Sequence, residues 1–466
     1  MLLPATPDFS THALRRKDVL RLIQEKYPKI DGALFLIAGF EHDRARFWQE
    51  SSFYYYTGIT EAALVFMQDV IAGTSTMYVP NCGGVREQWI YSPIPVTQKN
   101  AKKLAIDTVT ELGERCAGYQ LFPFFKHENY SHVIAKLREI IKNNGKIFTL
   151  YPANEHQYVE QRLVINHLVE LIPNLKQHIV DISELVADMR RSKDMHEIDL
   201  LYKAINITEL AQEAAANAIQ EDMLECEVQA SLEYMFTGAG SRAAFPSIVA
   251  TGKNATVLHY NENSSPLRNG ELVVVDIGAS YQGYAADITR TYPVSGTFTK
   301  RQRELYNIVL QTQDYIANLA APGYYLNNPE YPEKSLQHLA KAFLEKHKMA
   351  EYFIHGIGHY LGLDVHDVGN PREPLRENDV ITIEPGIYIP QESIGIRIED
   401  NYWITKKGTI CLSENIVKDP QAIEDLVQQN FDDEEEEDDD DMHDAMGDAY
   451  MESYQKSGAI YREVEH

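Results

Sequence analysis

LVVVDIGASYQGYAADITRTYPV, residues 272–294, is the stretch on which the fold turns. Three valines run into Asp276, so the pattern predicts a buried strand that ends in a carboxylate. Side chains alternate across a strand, which lets Asp276 point into a cleft while the valines pack the sheet. Taken alone, Asp276 would be a solvated acid at a strand end. Eleven residues later Asp287 stands at the start of a second strand, ADITRTYPV, in a hairpin-like layout, where the two acids can converge across neighbouring strands. Like charges brought that close need a cation between them.

A second pair of runs, VITIEPGIYI (380–389) and GIRIEDNYWI (395–404), carries two more acids. Pro385-Gly386 breaks the first run directly after Glu384. Glu399 is phased opposite the core-facing Ile396 and Ile398, on the side of Arg397. Each strand pair bears two carboxylates, which implies an internally duplicated architecture donating acids to one shared cleft, although no sequence repeat is visible. Between the pairs lies HGIGHYLGLDVHD (355–367), with His355, His359 and His366 among three glycines, a poor helix interior and so a loop or strand.

Asp276, Asp287, His359, Glu384 and Glu399 read together as the ligands of a two-metal hydrolytic site. Four carboxylates with one imidazole favour Mn²⁺, Co²⁺ or similar ions over a purely structural zinc. Such a set has room for two ions roughly 3.5–4 Å apart with an activated hydroxide between them. The remaining imidazoles suit hydrogen bonds to a scissile carbonyl or a tetrahedral intermediate. His259, in VLHYNEN, is a further candidate on thinner grounds.

The chain has 466 residues, 44% of them hydrophobic, which points to two domains and a large core. A net charge of −26 argues against nucleic-acid binding; ten of those charges form the unbroken run Asp432–Asp441, a solvated tail in its plainest reading. There is no signal-like N-terminus and no apolar stretch of membrane-spanning length, so a cytoplasmic protein is expected. Cys82, Cys116, Cys226 and Cys411 are widely separated and read as reduced, buried structural thiols.

The first third alternates patterns: an amphipathic stretch at Leu14–Ile23, apolar runs at 33–37, 62–67, 76–79 and 146–150, and helical spacing over Ala101–Leu112. MRRSKDMHEIDLLYKAINITELAQEAAANAI (189–219) favours one long helix, and helices are also predicted over Gln302–Leu319 and Ser335–His347. The expected division is an N-terminal α/β domain over 1–178, a catalytic domain over 179–430, and the acidic tail over 431–466.

These blocks, with RARFWQESSFYYYTGITEAALVF (44–66) and SIVATGKNATVLHYNEN (247–263), resemble the aminopeptidase P and prolidase family of two-metal pita-bread peptidases from about Ser10 to Gln429. The resemblance implies an α/β (α+β) protein with a pita-bread catalytic domain behind a creatinase-like N-terminal domain. It implies that Asp276 chelates one metal, Asp287 and Glu399 bridge both, and His359 with Glu384 complete the other. It also implies that Glu384 shuttles the proton, that His366 and His259 steady substrate, and that His355 borders the proline side, with Arg397 and Tyr388 orienting ligands and water. Two divalent ions are expected, Mn²⁺ first with Co²⁺ or Zn²⁺ as alternatives, in a homo-oligomer (dimer or tetramer) acting on small peptides with proline second.

Two departures from the family's pattern stand out, the first harmless because only a small residue is needed, the second bearing on substrate choice. Ala279 stands where the family often has Cys or Gly, and the segment from His366 to Glu384 is short, with only Arg372 and Arg376 basic. The latter favours an Xaa-Pro aminopeptidase over an Xaa-Pro dipeptidase. A non-catalytic histone- or peptide-binding relative and a metal-free creatinase-like hydrolase are disfavoured because all five ligands are present.

Overall fold

The structure, a computed structural model, describes residues 8–42, 46–121 and 126–433. It divides into two compact units, one ending at Arg190 and one beginning at Arg191. The composition-based boundary at 178/179 falls too early, because Ile179–Asp181 is a strand paired in parallel with Lys146–Thr149 and so belongs to the first unit. At the other end the Pro420–Asp433 helix runs past residue 430. The rest of the expected acidic tail lies outside the described residues.

The N-terminal unit is built on six strands: β1 (Gly32–Ile37), β2 (Val65–Asp69), β3 (Ser75–Val79), β4 (Thr108–Glu111), β5 (Lys146–Thr149) and β6 (Ile179–Asp181). Their order is β4-β3-β2-β1-β5-β6. Every residue of β1, GALFLI, is buried, as expected of a central strand covered on both faces. Phe35, Ile37, Val65 and Met67 pack with Val133, Leu137, Val164 and Leu168 from the helices Ser131–Lys142 and Val159–Leu171. The amphipathic stretch near Leu14 becomes the helix Phe9–Lys26, capped where Ser10 N donates to Asp8 Oδ1 at 2.9 Å. Ala101–Leu112 is no helix. Ala105 sits at φ +52°, and the β-branched run Thr108–Thr110 joins β4 instead.

The expected long helix over 189–219 is two, Ser183–Arg191 and Met195–Asn217, and only the latter belongs to the second unit. Met195–Asn217 starts afresh at Asp194, which accepts from Glu197 N at 2.9 Å while its own N–H donates to Glu197 Oε2 at 3.0 Å. Strands β7 (Arg242–Ala243), β10 (Ala279–Tyr281) and β11 (Tyr284–Ala285) form one small sheet, and β8 (Ile248–Thr251), β9 (Leu272–Ile277) and β12 (Ile288–Pro293) form another. In the second half β13 (Val380–Ile383) pairs with β16 (Asp400–Thr405), which pairs with β17 (Gly408–Cys411), and β14 (Gly386–Ile389) pairs with β15 (Ile394–Arg397). The predicted run 380–389 is therefore divided at Glu384-Pro385, and 395–404 at Ile398-Glu399.

The two halves mirror one another at these divisions. Gln212, on the Met195–Asn217 helix, donates from Nε2 to Val275 O at 3.2 Å and Ile288 O at 2.9 Å, the carbonyls beside Asp276 and Asp287. Gln313, on the Lys300–Leu319 helix, donates to Ile383 O at 3.0 Å and Ile398 O at 3.2 Å, beside Glu384 and Glu399. Each buried amide thus joins two strands where the acids emerge and satisfies carbonyls that would otherwise lack part of their pairing. The halves are tied by Glu399 N to Thr289 O at 3.1 Å and by Thr291 Oγ1 to Arg397 O at 2.9 Å. Arg290, wholly buried, ion-pairs with Asp400 at 2.7 Å and donates to the carbonyls of Thr289, Glu399, Ile416 and Val417.

Among the described residues no helix is long and apolar enough to cross a membrane. The four cysteines are unbridged, but Cys226 is exposed, against the expectation of burial.

Candidate metal centre

Asp276 is the fifth residue of β9, paired in register with Thr289, and Asp287 immediately precedes β12. Gly278 makes this close approach attainable, since a Cβ there would lie 1.8 Å from Ala286 O. Glu384 and Glu399 occupy the breaks after β13 and before β16, so their side chains leave the sheet edges for a common cavity. His359 lies on the extended loop 355–367, as its glycines imply, and is seated by its own N–H to Thr382 Oγ1 at 3.1 Å. A Cβ at Gly358 would come within 2.0 Å of Thr382 O, so the loop can lie this close to β13 only with glycine there. The buried pair Lys193–Asp367, 2.9 Å apart, anchors the loop's far end.

All the predicted site residues except Tyr388 line one cavity of about 800 Å³. Ligand atoms of Asp287, His359 and Glu399 lie within 4.8 Å of one another. His359 Nε2 is 3.4 Å from Asp287 Oδ2 and 3.6 Å from Glu384 Oε1, while its Nδ1 is 3.0 Å from Tyr360 O. Asp276 faces the same cavity with Oδ2 held by Arg397 Nη2 at 2.5 Å. His366 packs edge-on to His359 with ring centres 4.3 Å apart, and His259 sits exposed on the cavity wall.

Arg397 organises the floor. Besides Asp276, it donates from Nη1 to the Tyr388 hydroxyl at 2.8 Å and from Nε to Thr289 Oγ1 at 3.1 Å. Thr289 in turn donates to Glu399 Oε2 at 2.7 Å. Tyr388 stands 2.9 Å from His355 Nε2, and His355 Nδ1 is 2.8 Å from Gly356 O. Nδ1 therefore carries the proton and Nε2 accepts from Tyr388, a neutral imidazole. Burial and then the charge of Arg397 agree, lowering His355 to about 4, while burial raises Tyr388 to about 12.

The acids are electrostatically frustrated. Burial first, then their mutual repulsion, raise Asp287 to about 6 and Glu384 to about 7 and push Glu399 well above the carboxylate range. Burial would lower His359, but the hydrogen bond and charge of Asp287, with Glu384, raise it to about 9. Two buried oxygens, Asp276 Oδ1 and Glu399 Oε1, have no hydrogen-bond partner among the described residues. Orphaned buried carboxylate oxygens beside an imidazole are what a divalent cation satisfies, and this donor set fits one.

Sequence reasoning missed Thr289, Thr382, Gln212 and Gln313, which hydrogen-bond the predicted ligands or the strand carbonyls beside them. A lone Thr on a strand or Gln on a helix carries no local signal. Only its phase relative to the acids could have drawn attention to it.

The metallopeptidase family M24 model matches residues 199–406. The chain is similar to the Xaa-Pro aminopeptidase of Haemophilus influenzae, 31% identical over 82% of this chain and 88% of that protein. Over half of this chain and 65% of the relative it is 40% identical to the Xaa-Pro dipeptidase of Pyrococcus horikoshii. A variant of Escherichia coli aminopeptidase P in complex with substrate superposes with a TM-score of 0.77 at 27% identity, over 92% of this chain and all of that one. A likeness that runs nearly the length of a relative, on this fold and around this acid-rich cavity, means that the chain belongs to metallopeptidase family M24.

Proposed function

We propose that this chain is a metal-dependent Xaa-Pro aminopeptidase, releasing the N-terminal residue from peptides whose second residue is proline. The observation that carries this reading is the cavity where acids from both halves meet His359, on a chain similar to an Xaa-Pro aminopeptidase along most of its length. The X–Pro bond is a tertiary amide without the N–H that ordinary proteases engage, so it calls for a dedicated site.

Asp276, Asp287, His359, Glu384 and Glu399 would hold two divalent ions, Mn²⁺ first with Co²⁺ or Zn²⁺ as alternatives. When bound, the ions act as Lewis acids that polarise the scissile carbonyl and acidify the attacking water. Glu384, placed by its environment near neutrality, takes a proton and returns it to the leaving nitrogen. Arg397 fixes one oxygen of Asp276, leaving the other for a cation, and through Thr289 it does the same for Glu399. His366 and His259, on the open wall, steady the substrate carbonyl, and neutral His355, held by Tyr388, borders the proline side.

The 40% identity to a dipeptidase over the catalytic half keeps Xaa-Pro dipeptides as a second reading. Turnover of Xaa-Pro beside Xaa-Pro-Yaa-Yaa, with Mn²⁺ and with chelator, decides between them. Chelator-sensitive cleavage of the longer peptide is expected, and cleavage of the dipeptide alone would favour the second reading. A cytoplasmic homo-oligomer is part of the proposal, in keeping with four unbridged cysteines.

A further inference from the structure

Cys82 and Cys116, thirty-four positions apart in sequence, meet in the N-terminal unit. Each lies just beyond the C-terminal end of one of two adjacent parallel strands, β3 and β4, whose last residues Val79 and Glu111 are in register. Cys116 N donates to Asn81 O at 2.7 Å, holding the two loops together beside Cys82, and both cysteines are buried in the same hydrophobic core. Cys82 also lines a cavity of about 420 Å³ with Arg86, Glu87, Val96, Glu111 and Leu121. Arg86 is fixed there by Glu41 at 2.6 Å and by Tyr119 O at 2.7 Å. The catalytic chemistry uses none of these groups.

We propose that Cys82 and Cys116 form an oxidisable dithiol, with Cys82 the thiol that attacks hydroperoxides entering the cavity and Cys116 the thiol that resolves the product into a disulfide. The Cys82 sulfur attacks one peroxide oxygen, the O–O bond breaks, and water (or an alcohol) leaves with the thiol's proton. Cys82 is then a sulfenic acid. Cys116 sulfur displaces its hydroxyl, the S–S bond forms as the S–O bond breaks, and a second water leaves with the Cys116 proton. Two thiols lose two electrons and the peroxide gains them.

The division of labour follows from the surroundings. Cys82 lines the cavity beside Arg86 whereas Cys116 does not, and in keeping with this its neighbour Cys116 and then the charge of Arg86 lower Cys82, while Cys82 and burial raise Cys116. The two cysteines sit in loops beyond the strand ends and are brought together by the Cys116 N–Asn81 O bond, so closing an S–S bond of about 2.05 Å disturbs no ladder hydrogen bond.

The test uses the full-length, metal-loaded chain treated with hydrogen peroxide. Free thiols counted in denaturant should fall from the four in the sequence to two, with the loss of two hydrogens in intact mass and a Cys82–Cys116 linked peptide. Dithiothreitol should restore four. In Cys116→Ser the linked peptide should vanish and a sulfenic acid at Cys82 should be trapped by dimedone; in Cys82→Ser neither should form. Cys226, exposed, serves as the internal control. Oxidation of Cys226 with Cys82 and Cys116 untouched, or over-oxidation of Cys82 without a link, overturns the proposal. The wild-type measurement decides even where a variant fails to fold.

Discussion

Thr289→Val isolates the hydrogen-bond scaffold behind the proposed metal ligands. Thr289 is wholly buried and its hydroxyl both accepts from Arg397 Nε at 3.1 Å and donates to Glu399 Oε2 at 2.7 Å. Valine has nearly the same shape, so packing is kept while a guanidinium N–H and a carboxylate oxygen lose their partner. Hydrogen bonds to charged groups contribute about 1.5–3 kcal/mol each, which puts the loss for the metal-free protein at about 3 kcal/mol at the lower end. Freed from Thr289, Glu399 should also hold metal less well, by about tenfold to a hundredfold or roughly 1.4–2.8 kcal/mol. Calorimetric Mn²⁺ titration and urea denaturation of metal-free protein read the two quantities separately. Thr312→Val is the control: its buried hydroxyl donates to Ile308 O within its own helix and to no acid of the cavity, so it should cost stability without weakening Mn²⁺. Mn²⁺ affinity of Thr289→Val within twofold of wild type would refute the role given to this hydroxyl.

Further outcomes are expected. Asp287→Asn should lose metal and Xaa-Pro hydrolysis together, read by metal content and peptide turnover; full turnover in metal-free buffer would contradict the assignment. Gln313→Leu removes two donors from buried carbonyls and should cost about 2 kcal/mol by denaturation, with Gln212→Leu costing a similar amount, because each amide holds the same kind of strand junction. In the metal-free fold His359 is raised to about 9, so between pH 9 and 7 it binds more protons folded than unfolded; stability in chelator should rise as pH falls through that window. Mn²⁺ affinity should move oppositely, falling as protons claim His359 and then Glu384, near 7. Denaturation and metal titration at pH 9 and 7 check both signs.

The gathering of these acids in one cavity was legible because acids at strand ends announce themselves: valines before Asp276, Pro385-Gly386 after Glu384, isoleucines flanking Arg397 and Glu399. The loop nature of 355–367 followed from its glycines. What failed were features set by tertiary pairing. Ala101–Leu112 shows helical spacing, yet β3 offers an open edge and Thr108–Glu111 takes it. The long helix at 189–219 was composition without punctuation, and the Asp194–Glu197 box that divides it outweighs propensity. Cys82 with Cys116, and Gln212 with its counterpart Gln313, acquire meaning only when strand order brings them into place.

Anomalous diffraction from crystals of the Mn²⁺-loaded protein tests the central claim most directly. Two peaks roughly 3.5–4 Å apart are predicted in the cavity, both within reach of Asp287 and Glu399, with His359 at one and Asp276 at the other. Peaks elsewhere, or none in crystals of protein that hydrolyses Xaa-Pro peptides, would contradict it.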